Sequence, residues 1–246
     1  MGRTHRLAGH ALWVEFLGQW WRRAVAVDAP LTAATTLVLG GVALVLVLVG
    51  WRWVRVLTTV CHEAGHATVA LLTGRRLRGI RVHADTSGLT LTRGRASGPG
   101  MVATLFAGYP AASVVGSGVA ALAGRGHSSA ALWLIVVLLA AMLLAMRNVY
   151  GALVVLAVGV VVAVVSWYAP APVLALVANG VAWLLLLAGP RPVLEVARNR
   201  DPRTDGSQLR ALTRVPRVFW VGLWLLLTIG ALVGGAVLLV PGPASG

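Results

Sequence analysis

Residues 53–73 read WVRVLTTVCHEAGHATVALLT, an apolar stretch of membrane-spanning length with His62, Glu63 and His66 near its centre. On a helix, residues four positions apart project from the same face about one turn apart. Both imidazoles can therefore reach one metal ion, and Glu63 can reach a water molecule on that metal. Ionisable groups are costly inside a membrane and are usually functional there. The stretch predicts a membrane helix that carries a metal site.

The rest of the chain has the composition of a membrane protein. Of its 246 residues, 58% are hydrophobic and 11% are charged, and the mean hydropathy is +0.84. Soluble domains carry about 25% charged residues, and a membrane-spanning helix needs about 20 mostly apolar residues. We predict an all-α polytopic membrane protein with about seven transmembrane helices, over residues 31–50, 53–73, 101–122, 130–146, 149–167, 172–189 and 218–240.

The whole chain divides into three parts. Residues 1–29 are predicted to form an amphipathic interfacial segment, residues 30–240 a single transmembrane domain, and residues 241–246 a C-terminal tail. Residues 80–92 alternate apolar and polar side chains around a turn at 85–88, which predicts a short cytoplasmic β-hairpin after the helix of the two histidines. Residues 190–217 are predicted to form a polar, arginine-rich loop.

Arginine supplies all 21 basic residues, and its distribution indicates an orientation in the membrane. Cytoplasmic loops are enriched in arginine and lysine. With the N-terminus inside, segments 1–29, 74–99, 147–148 and 190–217 hold 18 arginines on the inner side. We therefore predict a multi-pass protein of the cell membrane, with its N-terminus and the opening of the site in the cytoplasm and its C-terminus outside. Because the arginines lie in loops between spans, we predict no nucleic-acid partner.

The predicted metal site needs a third protein ligand. His-Glu-x-x-His is the zincin signature, in which the glutamate acts as general base, and catalytic zinc takes three protein ligands and a water. Asp201 and Asp205 lie on the predicted inner side. We expect Asp205, because Gly206 beside it would let the backbone approach the metal, and Asp201 stays the alternative. Cys61 is either an apolar neighbour of the site or a thiol near the metal.

These motifs resemble the site-2 protease family of intramembrane zinc metalloproteases, most closely its compact bacterial branch without a PDZ domain. The likeness covers about residues 53–210. It depends on the His62–His66 motif in a span, the arginine-rich hairpin after it, and a late Asn-x-x-Pro…Asp-Gly motif matched by Asn199, Pro202, Asp205 and Gly206. The resemblance implies that Asp205 is the third zinc ligand and that the substrate is a transmembrane segment of another protein.

We therefore predict an intramembrane zinc endopeptidase of regulated intramembrane proteolysis, whose partners are its substrate and the lipid bilayer. Zn²⁺ would be held by His62, His66 and Asp205, and Glu63 would take a proton from water and pass it to the leaving amine. The hairpin would pair with an extended substrate strand, or it is a plain cytoplasmic loop. Asn148 would contact the substrate backbone, or it completes a helix turn. The alternative functions are an inactive protease-like binding or regulatory protein and a metal transporter.

Overall fold

The computed structural model describes residue 15 and residues 18–241. The rest of the predicted interfacial segment 1–29 and of the predicted tail 241–246 lies outside the described residues. Within the described part of the chain, one two-stranded antiparallel sheet accompanies the helices. The elements in chain order are α1 (helical residues 18–24), α2 (Ala33–Val49), α3 (Trp51–Leu72), β1 (Arg76–Val82), β2 (Gly88–Arg93), α4 (Pro99–Phe106), α5 (Ala111–Ala123), α6 (Ser128–Ala145), α7 (Val149–Tyr168), α8 (Ala171–Ala188), α9 (Pro190–Arg198), α10 (Asp205–Thr213) and α11 (Arg217–Leu239).

Among the described residues, four helices are long and apolar enough to cross a membrane. They are α6, α7, the run Ala171–Arg198 formed by α8 and α9, and α11. Two bent pairs would each make one further crossing, for up to six in all: α2 with α3, bent by 98°, and α4 with α5, bent by 67°. The structure confirms a polytopic helical membrane protein, with four to six candidate crossings in the described residues where the sequence predicted about seven.

The lower number of crossings has a physical reason at each bend. α2 ends at Gly50, where a Cβ atom would lie only 2.9 Å from Leu46 O. The next helix, α3, carries Arg52 and Arg55 besides the ionisable residues of the predicted site, and these groups disfavour a separate crossing by α3 alone. The predicted span 101–122 breaks before α5, where Pro110 has no N–H group with which to continue a helix.

The predicted polar loop at 190–217 is largely helical instead. α9 continues directly from α8, and Pro190 lies in its first turn, where a backbone N–H group is not required. Val193 and Val196 of α9 and Leu209 of α10 form one buried cluster with Trp224 of α11. The prediction failed because the many arginines of this segment conceal an apolar stripe.

Small side chains bring α5 and α8 close together in the main core. A Cβ atom at Gly116 would lie 3.1 Å from Leu185 Cβ and 3.1 Å from Leu186 Cγ. Buried alanines from both helices, among them Ala120 and Ala178, complete the contact. Helices in lipid associate through such close backbone approach, and this core supports the elements around the predicted site.

The predicted β-hairpin is confirmed, and it begins earlier than predicted. β1 and β2 pair antiparallel, from Arg76 opposite Arg93 to Val82 opposite Gly88.

Two other segments hold the hairpin in place. The turn between α6 and α7 lies along the outer edge of β1, where Met146 bridges Ile80 and the Arg147 N–H donates to Ile80 O (2.8 Å). On α3, the Thr59 hydroxyl donates to Thr86 O at the hairpin tip (2.9 Å). The hairpin is therefore packed against α3 and the turn between α6 and α7.

The hairpin and residues 18–28 lie at opposite ends of α6 and α7. The hairpin contacts the turn that joins these helices, whereas Trp20 packs edge-on against Trp133 (5.8 Å between ring centroids) and the Asp28 N–H donates to Gly126 O (2.8 Å) near the start of α6. An 18-residue helix is about 27 Å long. If α6 and α7 cross the membrane, the two regions lie on opposite sides, which differs from the predicted arrangement with both in the cytoplasm.

Candidate metal centre

α3 presents two histidines and a glutamate near its middle. His62 and His66 are one turn apart, with their ring centroids 4.4 Å and their Nε2 atoms 2.9 Å from each other. His66 is buried, His62 is partly exposed, and Glu63 is only 4% exposed. The spacing of four residues thus gives the shared helix face that the sequence predicted.

Asp205 reaches the same point from a distant part of the chain. It is the first residue of α10, whose N-cap residue Thr204 accepts a hydrogen bond from the Ser207 N–H. Asp205 Oδ2 lies 3.1 Å from His62 Nε2 and 3.3 Å from His66 Nε2. The ligand atoms of these three residues all lie within 4.8 Å of one another, so the group could hold a metal ion.

The hydrogen bonding of His66 fits a metal at this point. Its Nδ1 atom lies 2.6 Å from Thr104 O. A carbonyl oxygen only accepts, so Nδ1 carries a proton, and Nε2 is the ring nitrogen that faces Asp205 Oδ2. In the neutral form of the ring, Nε2 has a lone pair and could bind a metal ion together with this carboxylate. Two imidazole nitrogens and one carboxylate oxygen form a ligand set of catalytic zinc sites.

The break between α4 and α5 forms the wall behind the two imidazoles. A Cβ atom at Gly108 would lie 2.5 Å from His62 Cε1 and 2.7 Å from His66 Cε1, so a side chain has no room there. Next to it, Tyr109 packs edge-on against His62, with 4.8 Å between ring centroids. The other side of Tyr109 contacts Trp224 at 4.4 Å. This wall restricts the orientation of both histidine rings.

Strand β2 contacts both oxygens of the Glu63 carboxylate. The Thr90 hydroxyl lies 2.6 Å from Glu63 Oε2, to which it can donate. On the other side, a Cβ atom at Gly88 would overlap Glu63 Oε1. The hairpin therefore holds the Glu63 carboxylate in place on α3, beside the candidate metal ligands.

A cavity of about 230 Å³ opens beside His62 and Glu63. Its walls come from α3, the hairpin, the break between α4 and α5, α9 and the loop before α10. Arg55 and Glu195, which both line it, form an ion pair with 3.4 Å between Arg55 Nη2 and Glu195 Oε2. A ligand in this cavity would contact the glutamate and one histidine of the candidate site.

A family model described as peptidase M50B-like matches residues 33–235. The chain belongs to the peptidase M50B-like family. The matched region includes His62, Glu63, His66 and Asp205, and M50 proteins are zinc metalloproteases, which agrees with the ligand set found here. No curated protein and no solved structure matches the chain.

In this M50B-like protein, the group that could hold a metal does not include the other residues considered from the sequence, which are Asp201, Cys61 and Asn148. Asp201 accepts hydrogen bonds from Arg203, which hold the pKa of the Asp201 carboxyl below its ordinary value. Cys61 is half-buried and does not line the cavity. The amide of Asn148 donates to Val82 O (2.7 Å) and accepts from the Val82 N–H (3.2 Å). The structure thus brings Asp205, and not Asp201, to the histidines.

Three contributors to the M50B-like site were not predicted from the sequence. Thr104 orients His66, Gly108 leaves room for both imidazoles, and Thr90 contacts Glu63. A threonine or glycine in a membrane protein carries no signal of such a role. The one hint was the alternation in β2, which places Thr90 on the same strand face as Gly88.

Proposed function

We propose that this M50B-like protein is an intramembrane zinc endopeptidase that cleaves transmembrane segments of other membrane proteins. The proposal is carried by one observation: His62 Nε2, His66 Nε2 and Asp205 Oδ2 converge beside a buried glutamate. Membership of the peptidase M50B-like family and the apolar helices around the site support it.

Each residue of the site has a chemical role in this proposal. His62, His66 and Asp205 would hold zinc. Zinc bound there would polarise the scissile carbonyl and lower the pKa of a water molecule. Glu63 would accept a proton from water at Oε1, the oxygen to which Thr90 does not donate, and later pass it to the leaving amine.

The free edge of β2 is a suitable place for an extended substrate strand. Ile80 and Val82 direct backbone groups towards the turn between α6 and α7. In the hairpin, Ile80 pairs with Thr90 and Val82 pairs with Gly88, and neither pair is hydrogen-bonded across the two strands. The N–H and C=O groups of Thr90 and Gly88 therefore point away from β1, towards the free edge of β2. Among the described residues, no backbone group of another segment bonds to that edge. A substrate strand could add there, next to Glu63.

The decisive experiment compares the wild type with Glu63→Gln, which keeps the size of the side chain but not its basicity. We expect the wild type to bind about one zinc ion per chain and to cleave some of a panel of single-span membrane proteins. Glu63→Gln should keep its zinc and lose at least about 100-fold in cleavage rate, within the range of general-base catalysis. Equal cleavage by both proteins would contradict the proposal. A wild type that binds zinc but cleaves nothing would favour the inactive, protease-like alternative.

A matched pair of variants tests the third ligand. We expect Asp205→Asn to lose most of its bound zinc, because an amide is a poor zinc ligand, whereas Asp201→Asn should keep it. Zinc content of the purified proteins, measured by elemental analysis, distinguishes the two. If only Asp201→Asn loses zinc, the third ligand is Asp201 and not Asp205.

A further inference from the structure

We propose that Thr90 is a positioning residue for Glu63 and that it couples the docking edge of β2 to the general base. This inference rests on the proposed function. It adds a residue that belongs to neither the metal ligands nor the His-Glu-x-x-His motif.

The contacts of Thr90 carry the inference. Its hydroxyl lies 2.6 Å from Glu63 Oε2 and 3.1 Å from Glu63 O. The Thr90 side chain therefore lies within hydrogen-bonding distance of both the carboxylate and the backbone carbonyl of Glu63. A hydroxyl has one proton, and the shorter distance assigns it to the carboxylate. Hydrogen bonds to charged acceptors are the shorter and stronger kind. Thr90 therefore fixes one carboxylate oxygen on a buried side chain.

The other carboxylate oxygen is restricted by the same strand. Glu63 Oε1 lies against Gly88, at a place that a side chain would fill. Without the Thr90 hydroxyl, rotation about the last bond of the glutamate would be limited by packing alone. A catalytic group displaced by about 1 Å can lose about 100-fold in rate. The hydroxyl thus selects the orientation in which Oε1 is the oxygen that does not accept from Thr90.

Thr90 also lies where a substrate strand would add. Its N–H and C=O groups point to the free edge of β2, while its side chain points to α3. The backbone of Thr90 would therefore position a bound peptide, while the side chain of the same residue orients Glu63. Docking and proton transfer are linked through one side chain.

The test uses three variants of the full-length protein in a cleavage assay. Thr90→Val replaces the hydroxyl with a methyl group of similar size, Thr90→Ser keeps the hydroxyl, and Thr92→Val is the control. Thr92 lies two residues along the same face and accepts hydrogen bonds from Arg75 instead of contacting Glu63.

We expect Thr90→Val to lower kcat by about 10- to 100-fold, with zinc content unchanged and KM within about 3-fold of the wild type, because backbone docking does not need the hydroxyl. Thr90→Ser should restore most of kcat, and Thr92→Val should resemble the wild type. Trypsin cleavage at the hairpin arginines reports whether the hairpin stays docked.

Two results would overturn the inference while leaving the proposed function intact. One is a Thr90→Val protein with the kcat of the wild type. The other is a loss of kcat that Thr90→Ser does not restore or that comes with a trypsin-sensitive hairpin, since either indicates a structural role. A wild type that binds zinc and cleaves no substrate would instead overturn the proposed function, and this inference with it.

Discussion

Gly108 and Gly88 shape the candidate site by what they lack. At Gly108 the missing side chain leaves room for the Cε1 atoms of His62 and His66, and at Gly88 it leaves room for the Glu63 carboxylate. The first glycine lies in the break between α4 and α5 and the second at the start of β2. The ligands and the base therefore depend on two separate close approaches, which can be disturbed independently.

Substitution of these glycines should separate metal binding from proton transfer. In Gly108→Ala the new methyl group would push both imidazoles, so we expect zinc affinity to fall by about 10- to 100-fold, the range seen when groups around metal ligands are changed. In Gly88→Ala the methyl group would displace the carboxylate, so we expect zinc to remain bound while cleavage falls by about 100-fold. Zinc titration and the cleavage assay measure the two effects.

The expected pattern has a clear opposite. If Gly88→Ala releases zinc, or if Gly108→Ala keeps wild-type affinity, the two glycines do not divide the site as described.

At the scale of elements, the hairpin depends on partners that are remote in sequence. One edge of β1 is closed by residues 146–148, and Val82, which is 0% exposed, finds both of its backbone partners in the Asn148 amide. This arrangement explains Asn148 as part of the sheet. Contact between Asn148 and a substrate stays a prediction from the sequence.

Removal of the Asn148 amide should loosen the hairpin. In Asn148→Ala the N–H and C=O of Val82 lose their partners, and a buried unsatisfied group costs about 1–3 kcal/mol. We expect faster hydrogen exchange and faster tryptic cleavage across β1 and β2, with zinc content unchanged. A raised KM with a fully protected hairpin would point to the substrate role instead.

The sequence allowed some of these elements to be predicted and not others, for physical reasons. The motif from His62 to His66 follows from helix spacing, and the hairpin follows from its alternation and turn. Asp205 could be chosen over Asp201 only by local cues, because nothing in its spacing reveals that the first residue of α10 reaches the two histidines of α3. The helices at 190–213 were missed because arginines mask their apolar stripe.

At the scale of the whole molecule, charge and structure indicate one orientation. Of the arginines in the described residues, only Arg22, Arg23 and Arg125 lie at the end of the bundle that faces away from the hairpin. The others lie with α3, the hairpin, α9 and α10. Since arginine-rich segments stay in the cytoplasm, we expect the site and hairpin to face the cytoplasm and residues 18–28 to face outward.

Cysteine labelling in intact cells tests this orientation. In a Cys61→Ala background, Val27→Cys and Arg125→Cys should react with a membrane-impermeant maleimide, since both positions are exposed at the outward end. Ala84→Cys, exposed near the hairpin tip, should react only after the cells are permeabilised. Labelling of positions 27 and 84 from the same side would contradict the arrangement.

The bend at Gly50 also sets the parity of the chain in the membrane. When α2 and α3 count as one crossing, and α4 and α5 as another, the total is six. An even number returns the polypeptide to the compartment that it left, and the packing agrees. Gly124, where a Cβ atom would contact Leu238 O near the end of α11, is a close neighbour of Gly126, which bonds to Asp28. A reporter enzyme fused after α11 would therefore share its compartment with residue 27, whereas seven crossings would separate them.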